Sequence, residues 1–235
     1  MSLKPKPRFT VRLRTMLLIM NMTVLILPIL GVTVFRFYEN ELVEKTETEL
    51  IAQAAVIGAI YKDLIQDQIK DKKNFGNAAN PQHLVMIDEY YTPVFPKATL
   101  SEIRIRPPRP DGNTIEDEPD PIAQKAGAQL VDILVEAQKT TLAGMIVLDY
   151  NGYVVASREE QKLDYSHVFE VSRALEGAYE SVIRDRVSDN PQPTLASISR
   201  GAYIRVFIAY PVLHEGQVWG VVYLSRTPQN ILKHL

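Results

Sequence analysis

Cysteine is missing altogether, which removes structural disulfides, thiolate catalysis and the usual thiolate zinc ligands together. Histidine is scarce, at four residues, and no two are spaced as ligands on one element, so neither a metal nor any other cofactor is expected. Neither sign of charge dominates: 26 basic residues face 28 acidic ones, and the only dense basic run is the N-terminal tail. That balance gives no footprint for nucleic acid. Asp, Glu, Ser and His are present but in no nucleophile-and-base spacing, which argues against an enzyme.

Charge is also missing between Arg14 and Phe35, RTMLLIMNMTVLILPILGVTVF, a run long enough for a membrane helix, which needs roughly 20 apolar residues. A secretory signal has a shorter apolar core and a small-residue cleavage site, and neither is seen here. Lys4, Lys6, Arg8, Arg12 and Arg14 precede the run, and the first acid, Glu39, follows it. Positive flanks stay cytoplasmic. The expectation is therefore a cytoplasmic tail (1–14), a spanning helix (15–35) and one exported domain (36–235) in a bacterial inner membrane, facing the periplasm. The absence of disulfides fits that compartment.

From residue 38 to 69 the pattern is helical. Val43, Leu50, Ile57 and Leu64 recur every seven residues, Ala54 and Tyr61 share their stripe, and Glu41, Glu44, Glu47 and Glu49 fall on the wet face. The stripe fits a seam between two copies of the chain as well as a contact with the chain's own domain. Proline crowds residues 92–121, between the basic RIRPPRP and the acidic EDEPD, and predicts an extended loop. A helix restarts at 121–139, with Asp120 as cap and Pro121 in its first turn. Its apolar stripe reads Ile122, Ala126, Leu130, Ile133 and Ala137.

Residues 144–226 read as a sheet. GMIVLD and GYVVAS flank the turn pair Asn151-Gly152, a short helix runs from Ser166 to Glu176 and stops at Gly177, and ESVIRDR, AYIRVFIAYPVL and QVWGVVYL follow as strands. The plan is α+β: a transmembrane helix continuing into a long helix packed on an antiparallel sheet.

VLDYNGYVVAS, the helix ending RALEG and the paired strands IRVFIAYPV and VWGVVYLS, in that order behind a long helix, resemble the extracytoplasmic Cache or PDC sensor domains, relatives of PAS. The resemblance covers residues 38–235, and the C-terminal stretch looks like the end of the input domain of bacterial sensor histidine kinases. It implies a dimeric receptor, joined through the long helix, that binds a small ligand outside the cell and sets a kinase acting on a cytoplasmic response regulator. The chain itself holds no kinase core. SRTP resembles part of a phosphoacceptor box, but Tyr223 stands where that box carries histidine, and His234 lacks the surrounding pattern. The sequence stops at ILKHL, where such receptors begin a second membrane helix, so further residues are expected after it. A chemoreceptor or diguanylate cyclase output is the alternative, as is a complete single-pass envelope protein that holds a partner.

In Cache domains the ligand lies against the sheet beneath the short helix. Alternation puts Ile204, Val206 and Ile208 toward the core under the long helix, and Tyr203, Arg205 and Phe207 on the other face. Arg205 leads the candidates, because a guanidinium fork suits a carboxylate or phosphate. Its competing role is an ion pair with Asp149, Asp185 or Glu170. Ser157 and Tyr153, two strand periods apart, and the cations Arg173 and Arg184 complete the expected lining for an anionic ligand. Trp219 and Tyr223, alternating on the last strand, fit the core or a dimer surface.

Overall fold

The computed structural model describes residues 12–69, 75–83, 93–100, 104–159, 161–186 and 203–228. The start of the basic tail, the NPQP loop and His234 lie outside them. The chain divides into two units, Met1–Tyr38 and Glu39–Leu235.

The first unit contains the start of helix α1 (Leu13–Gln66). Among the described residues, α1 is the one helix long and apolar enough to cross a membrane. Two hydroxyls here bond within the helix: Thr23 and Thr33 donate to the Ile19 and Ile29 carbonyls at 2.9 and 2.8 Å. Its apolar side chains, such as Leu25 and Leu27, are exposed in the isolated chain.

The second unit is α+β. In chain order, the rest of α1 is followed by β1 (Asn77–Ala78), β2 (Asn113–Thr114), α2 (Pro121–Thr141), β3 (Gly144–Asp149), β4 (Val154–Ser157) and β5 (Leu163–Asp164). Then come α3 (Phe169–Leu175), β6 (Glu180–Asp185), β7 (Ile204–His214) and β8 (Gln217–Arg226). The main sheet has the order β4-β3-β8-β7-β6, with β1 on the end of β8, and every pairing is antiparallel. β2 and β5 form a separate pair.

Helices α1 and α2 cover one face and α3 the other. Val43, Leu50, Ala54, Ile57 and Tyr61 are buried against the sheet of their own chain, so the stripe is a contact with its own domain rather than a seam between copies. Burying each large side chain there stabilises the fold by roughly 1.5–3 kcal/mol. Tyr61 comes so close that a Cβ on Gly220 would lie 2.7 Å from its ring and 2.4 Å from the Leu148 carbonyl.

Several expectations shift. The helix ends at Gln66 rather than at residue 69. Glu47 is on the buried side, fully covered, because its carboxylate accepts bonds from the Lys97 and Ala98 amides at 3.0 and 2.7 Å and from the Tyr179 hydroxyl at 2.6 Å. A carboxylate with that many donors tolerates burial. On α2 the cap is as expected, Asp120 accepting from the Ile122 and Ala123 amides. The packed residue, however, is Leu134, while Ile133 is 47% exposed. One residue is 100° of helix, enough to carry a side chain off the stripe.

β4 begins at Val154 rather than Gly152, and α3 at Phe169 rather than Ser166, whose amide and hydroxyl are held by Asp164. The proline-rich segment is more than an extended loop. Arg106 pairs with the β6 edge, donating to the Ile183 carbonyl at 2.8 Å and accepting from the Asp185 amide at 2.9 Å, and Asn113–Thr114 is β2. Proline is tolerated at such an edge.

Candidate functional site

β7 alternates as the sequence predicts. Ile204, Val206 and Ile208 join the core under α1 and α2, and Phe207 joins the opposite one. On that opposite face a cavity of about 710 Å³ opens at the end of the sheet where β3 begins and β8 ends. Arg205, Phe207 and Ser157 line it, so the fold brings together three of the seven candidates.

The guanidinium of Arg205 bonds to Ser225 and passes close to Gly144. Its Nε donates to Ser225 Oγ at 3.1 Å, and Nη2 lies against the backbone of Gly144, where a Cβ would stand 2.9 Å away. Glycine at that point is what lets the guanidinium lie down on β3. Behind it the Phe207 ring stacks on Tyr223 at 5.8 Å. Of the three acids considered as partners for Arg205, Asp185 lines the same cavity, while Glu170 and Asp149 are engaged elsewhere.

Glu170, fully buried, is engaged by Arg184. Nε and Nη2 of Arg184 donate to the two carboxylate oxygens at 3.0 and 2.7 Å, and Tyr223 donates its hydroxyl to Oε1 at 2.8 Å. Burial and the adjacent Glu170 push the Tyr223 hydroxyl well above its ordinary pKa. Arg184 is thus held in a buried ion pair and does not line the cavity. Its third nitrogen, Nη1, donates to the Pro107 carbonyl at 3.1 Å, and Pro108 and Arg109 beside it wall the cavity. Arg109 lies 4.8 Å over the Tyr165 ring.

The other candidates are elsewhere. Tyr203 is 41% exposed at the approach to β7, outside the lining. Arg173 pairs with Glu176 at 2.7 Å and faces a second cavity. Tyr153 is separated from Ser157 by a bulge: Val147 pairs with Ala156 and Leu148 with Val154, so Val155 is an extra residue. An extra residue reverses the alternation beyond it, which leaves Ser157 opposite Ile146 in the cavity and Tyr153 out of it. A second bulge acts at Trp219, the extra residue between the pairs Val212–Gly220 and Leu213–Val218. Trp219 therefore joins the core under α1 and α2 while Tyr223 joins the other.

Sequence reasoning missed Tyr223 as a wall, Ser225 as the support of Arg205, and the rim cations Arg109, Arg158 and Arg186. Only Arg109 carried a signal, as part of RIRPPRP. The lining holds four arginines, Arg109, Arg158, Arg186 and Arg205, against three carboxylates, Asp111, Glu159 and Asp185. The chemistry of such a set suits an anion, or a zwitterion whose ammonium meets the acids.

Asp149, fully buried at the end of β3, accepts from the Asn151 and Tyr153 amides at 2.8 and 2.9 Å. Burial nonetheless raises its carboxyl above the ordinary 3.8. Nearby, burial and the hydrogen bond to Asp120 push the Tyr150 hydroxyl up to about 12. These groups fasten the start of α2 to the β3–β4 turn, where Gly152 takes φ +95°.

Among the described residues no group of three or more His, Asp or Glu is placed to hold a metal ion. His83 faces Glu176, His167 meets Asn113, and His214 lies against Trp219. No protein-family model and no curated protein matches the chain.

Proposed function

We propose that this chain is the signal-input module of a bacterial inner-membrane receptor, with a Cache-like domain facing the periplasm. The domain binds a small anionic or zwitterionic molecule in the Arg205 cavity. The observation that carries the reading is the placement of Arg205: a guanidinium bonded to Ser225 and given room by Gly144 in the lining of a cavity of about 710 Å³, a volume suited to a small ligand. A route to α1 lies next to it. Ser225 lines the cavity, and the neighbouring Arg226 donates to Glu49 of α1 at 2.8 Å.

Ligand binding that favours one setting of this contact passes a bias to α1, and so to the apolar stretch that continues it. The output is a histidine kinase acting on a response regulator, in a homodimer. Because the heptad stripe is covered, a helix-to-helix contact between copies would use the opposite side of α1, where Val56 is 61% exposed.

The test is a melting-temperature screen of the full chain in detergent against small organic acids and amino acids. A true ligand at 100 times its dissociation constant adds about 2.7 kcal/mol, or several degrees. Arg205→Ala is expected to abolish the shift and leave the unliganded melting temperature nearly unchanged. A panel without any stabilising member, or an Arg205→Ala protein that keeps the shift, would overturn the reading.

A further inference from the structure

A second cavity, of about 690 Å³, lies elsewhere on the domain and shares no lining residue with the first. Its character is different. Val94, Phe95, Tyr179, Tyr210 and Leu213 supply apolar and aromatic walls. Most of the charged residues at its edge are paired or solvated: Arg173 pairs with Glu176 at 2.7 Å and lies 4.0 Å from Glu180, and the Glu215 side chain is 64% exposed.

Lys97 is the exception. Its ammonium donates to the Tyr179 carbonyl at 3.0 Å and stands 5.5 Å over the Tyr179 ring, and it has no carboxylate partner among the described residues. An ammonium has three donors, so two are left for a ligand. An apolar pocket flanked by three rings, with one ammonium at its side that no carboxylate among the described residues pairs, matches a flat apolar body carrying one negative charge.

We propose that this cavity is a second small-molecule site, for an aromatic monocarboxylate, whose ring lies among Tyr179, Tyr210 and Leu213 and whose carboxylate meets Lys97 Nζ. The proposal does not depend on the Arg205 cavity. It has a consequence for α1, because the same two wall residues hold Glu47. Tyr179 donates its hydroxyl to that buried carboxylate, and Lys97 donates its backbone amide, at 2.6 and 3.0 Å. The first cavity reaches α1 through Arg226 and Glu49. Both sites therefore bear on the same turn of the helix, and occupancy of one biases the other by as much as each ligand favours one setting of that turn.

The experiment is calorimetric titration of the full chain in detergent with benzoate, with benzyl alcohol as the uncharged ring of similar size. Wild type is expected to bind benzoate saturably. Lys97→Met, which keeps the backbone amide on Glu47, should weaken benzoate about tenfold and leave benzyl alcohol unchanged. Leu213→Trp, which fills the cavity, should remove both, and Val94→Trp fills it from the opposite wall if Leu213→Trp fails to fold. Arg205→Ala should leave benzoate binding intact even where it abolishes a response at the first cavity. No saturable benzoate binding to wild type would overturn the proposal, as would binding that survives both cavity-filling variants or an equal loss in Lys97→Met and Arg205→Ala.

Discussion

The two faces of the sheet solve the burial problem in opposite ways. Under α1 and α2 the contact is mainly hydrocarbon and aromatic, with Leu50, Tyr61, Leu130, Leu134 and Trp219 fully buried and Glu47 a hydrogen-bonded exception. Under α3 the apolar cluster is smaller, and Glu170, Arg184 and Tyr223 form a buried hydrogen-bonded set beside an open cavity. A filled face fixes the helix against the sheet, whereas a face built on directional bonds leaves room for a ligand and holds the walls around it. Charge in this domain therefore has two uses. Arg184 is consumed in keeping the fold, and Arg205, directly opposite it in the β6–β7 register, faces the cavity.

The sharpest way to break this contrast is Arg184→Met. It strands Glu170 in the interior with the Tyr223 hydroxyl as its remaining side-chain partner, and the expected loss is about 3–5 kcal/mol in chemical denaturation. The double change Arg184→Met with Glu170→Leu should recover most of it, because an apolar pair carries no buried charge. If the single and double variants were equally unstable, the ion pair would not be what holds this face.

On the filled face, Leu134→Ala should cost about 2–5 kcal/mol and Ile133→Ala less than about 0.5 kcal/mol. Equal costs would place α2 in the wrong rotation.

Between the faces, Asp149 gives a pH signature. Its carboxyl is raised in the folded state, so the fold binds that proton more tightly than the unfolded chain does. Stability from this group is greatest below the ordinary pKa of 3.8 and falls as pH climbs from there through the raised folded value. Asp149→Asn lacks the titration. Its stability relative to wild type should therefore improve by about 1 kcal/mol for every pH unit that this window spans, as read from denaturant midpoints at a series of pH values. A difference that stayed flat with pH would contradict the burial argument.

A small change in stability is also expected for Gly144→Ala. The added Cβ meets Arg205 Nη2 at 2.9 Å and Ser225 Oγ at 2.8 Å, both ends of side chains that can turn away. Melting should move by only a degree or two, while any ligand shift that depends on Arg205 should be lost.

Much of this contrast is legible in the chain itself. The period-two pattern of β7 separates Arg205 and Phe207 from Ile204, Val206 and Ile208 without a structure, and Asp120-Pro121 marks the start of α2. What stays hidden depends on partners distant in sequence. Glu47 looks like a solvated helix acid until Tyr179 and the amides of residues 97 and 98 arrive from far along the chain. Arg184 reads as a cation free to line the cavity, and its burial against Glu170 is visible only once β6 and α3 are packed together. Bulges at Val155 and Trp219 defeat alternation because one extra residue leaves no local mark in composition, and so alternation alone puts Tyr153 on a wall it does not reach.

The proposed sensing of external solutes by the arginine cavity predicts that the sheet domain faces away from the cytoplasm. Because the chain has no cysteine, a single Lys139→Cys, at a side chain 63% exposed on α2, can be labelled in intact spheroplasts with a membrane-impermeant maleimide against no background. Labelling is expected at full extent without lysis. Labelling that appears only after the membrane is permeabilised would contradict that placement and the receptor function built on it.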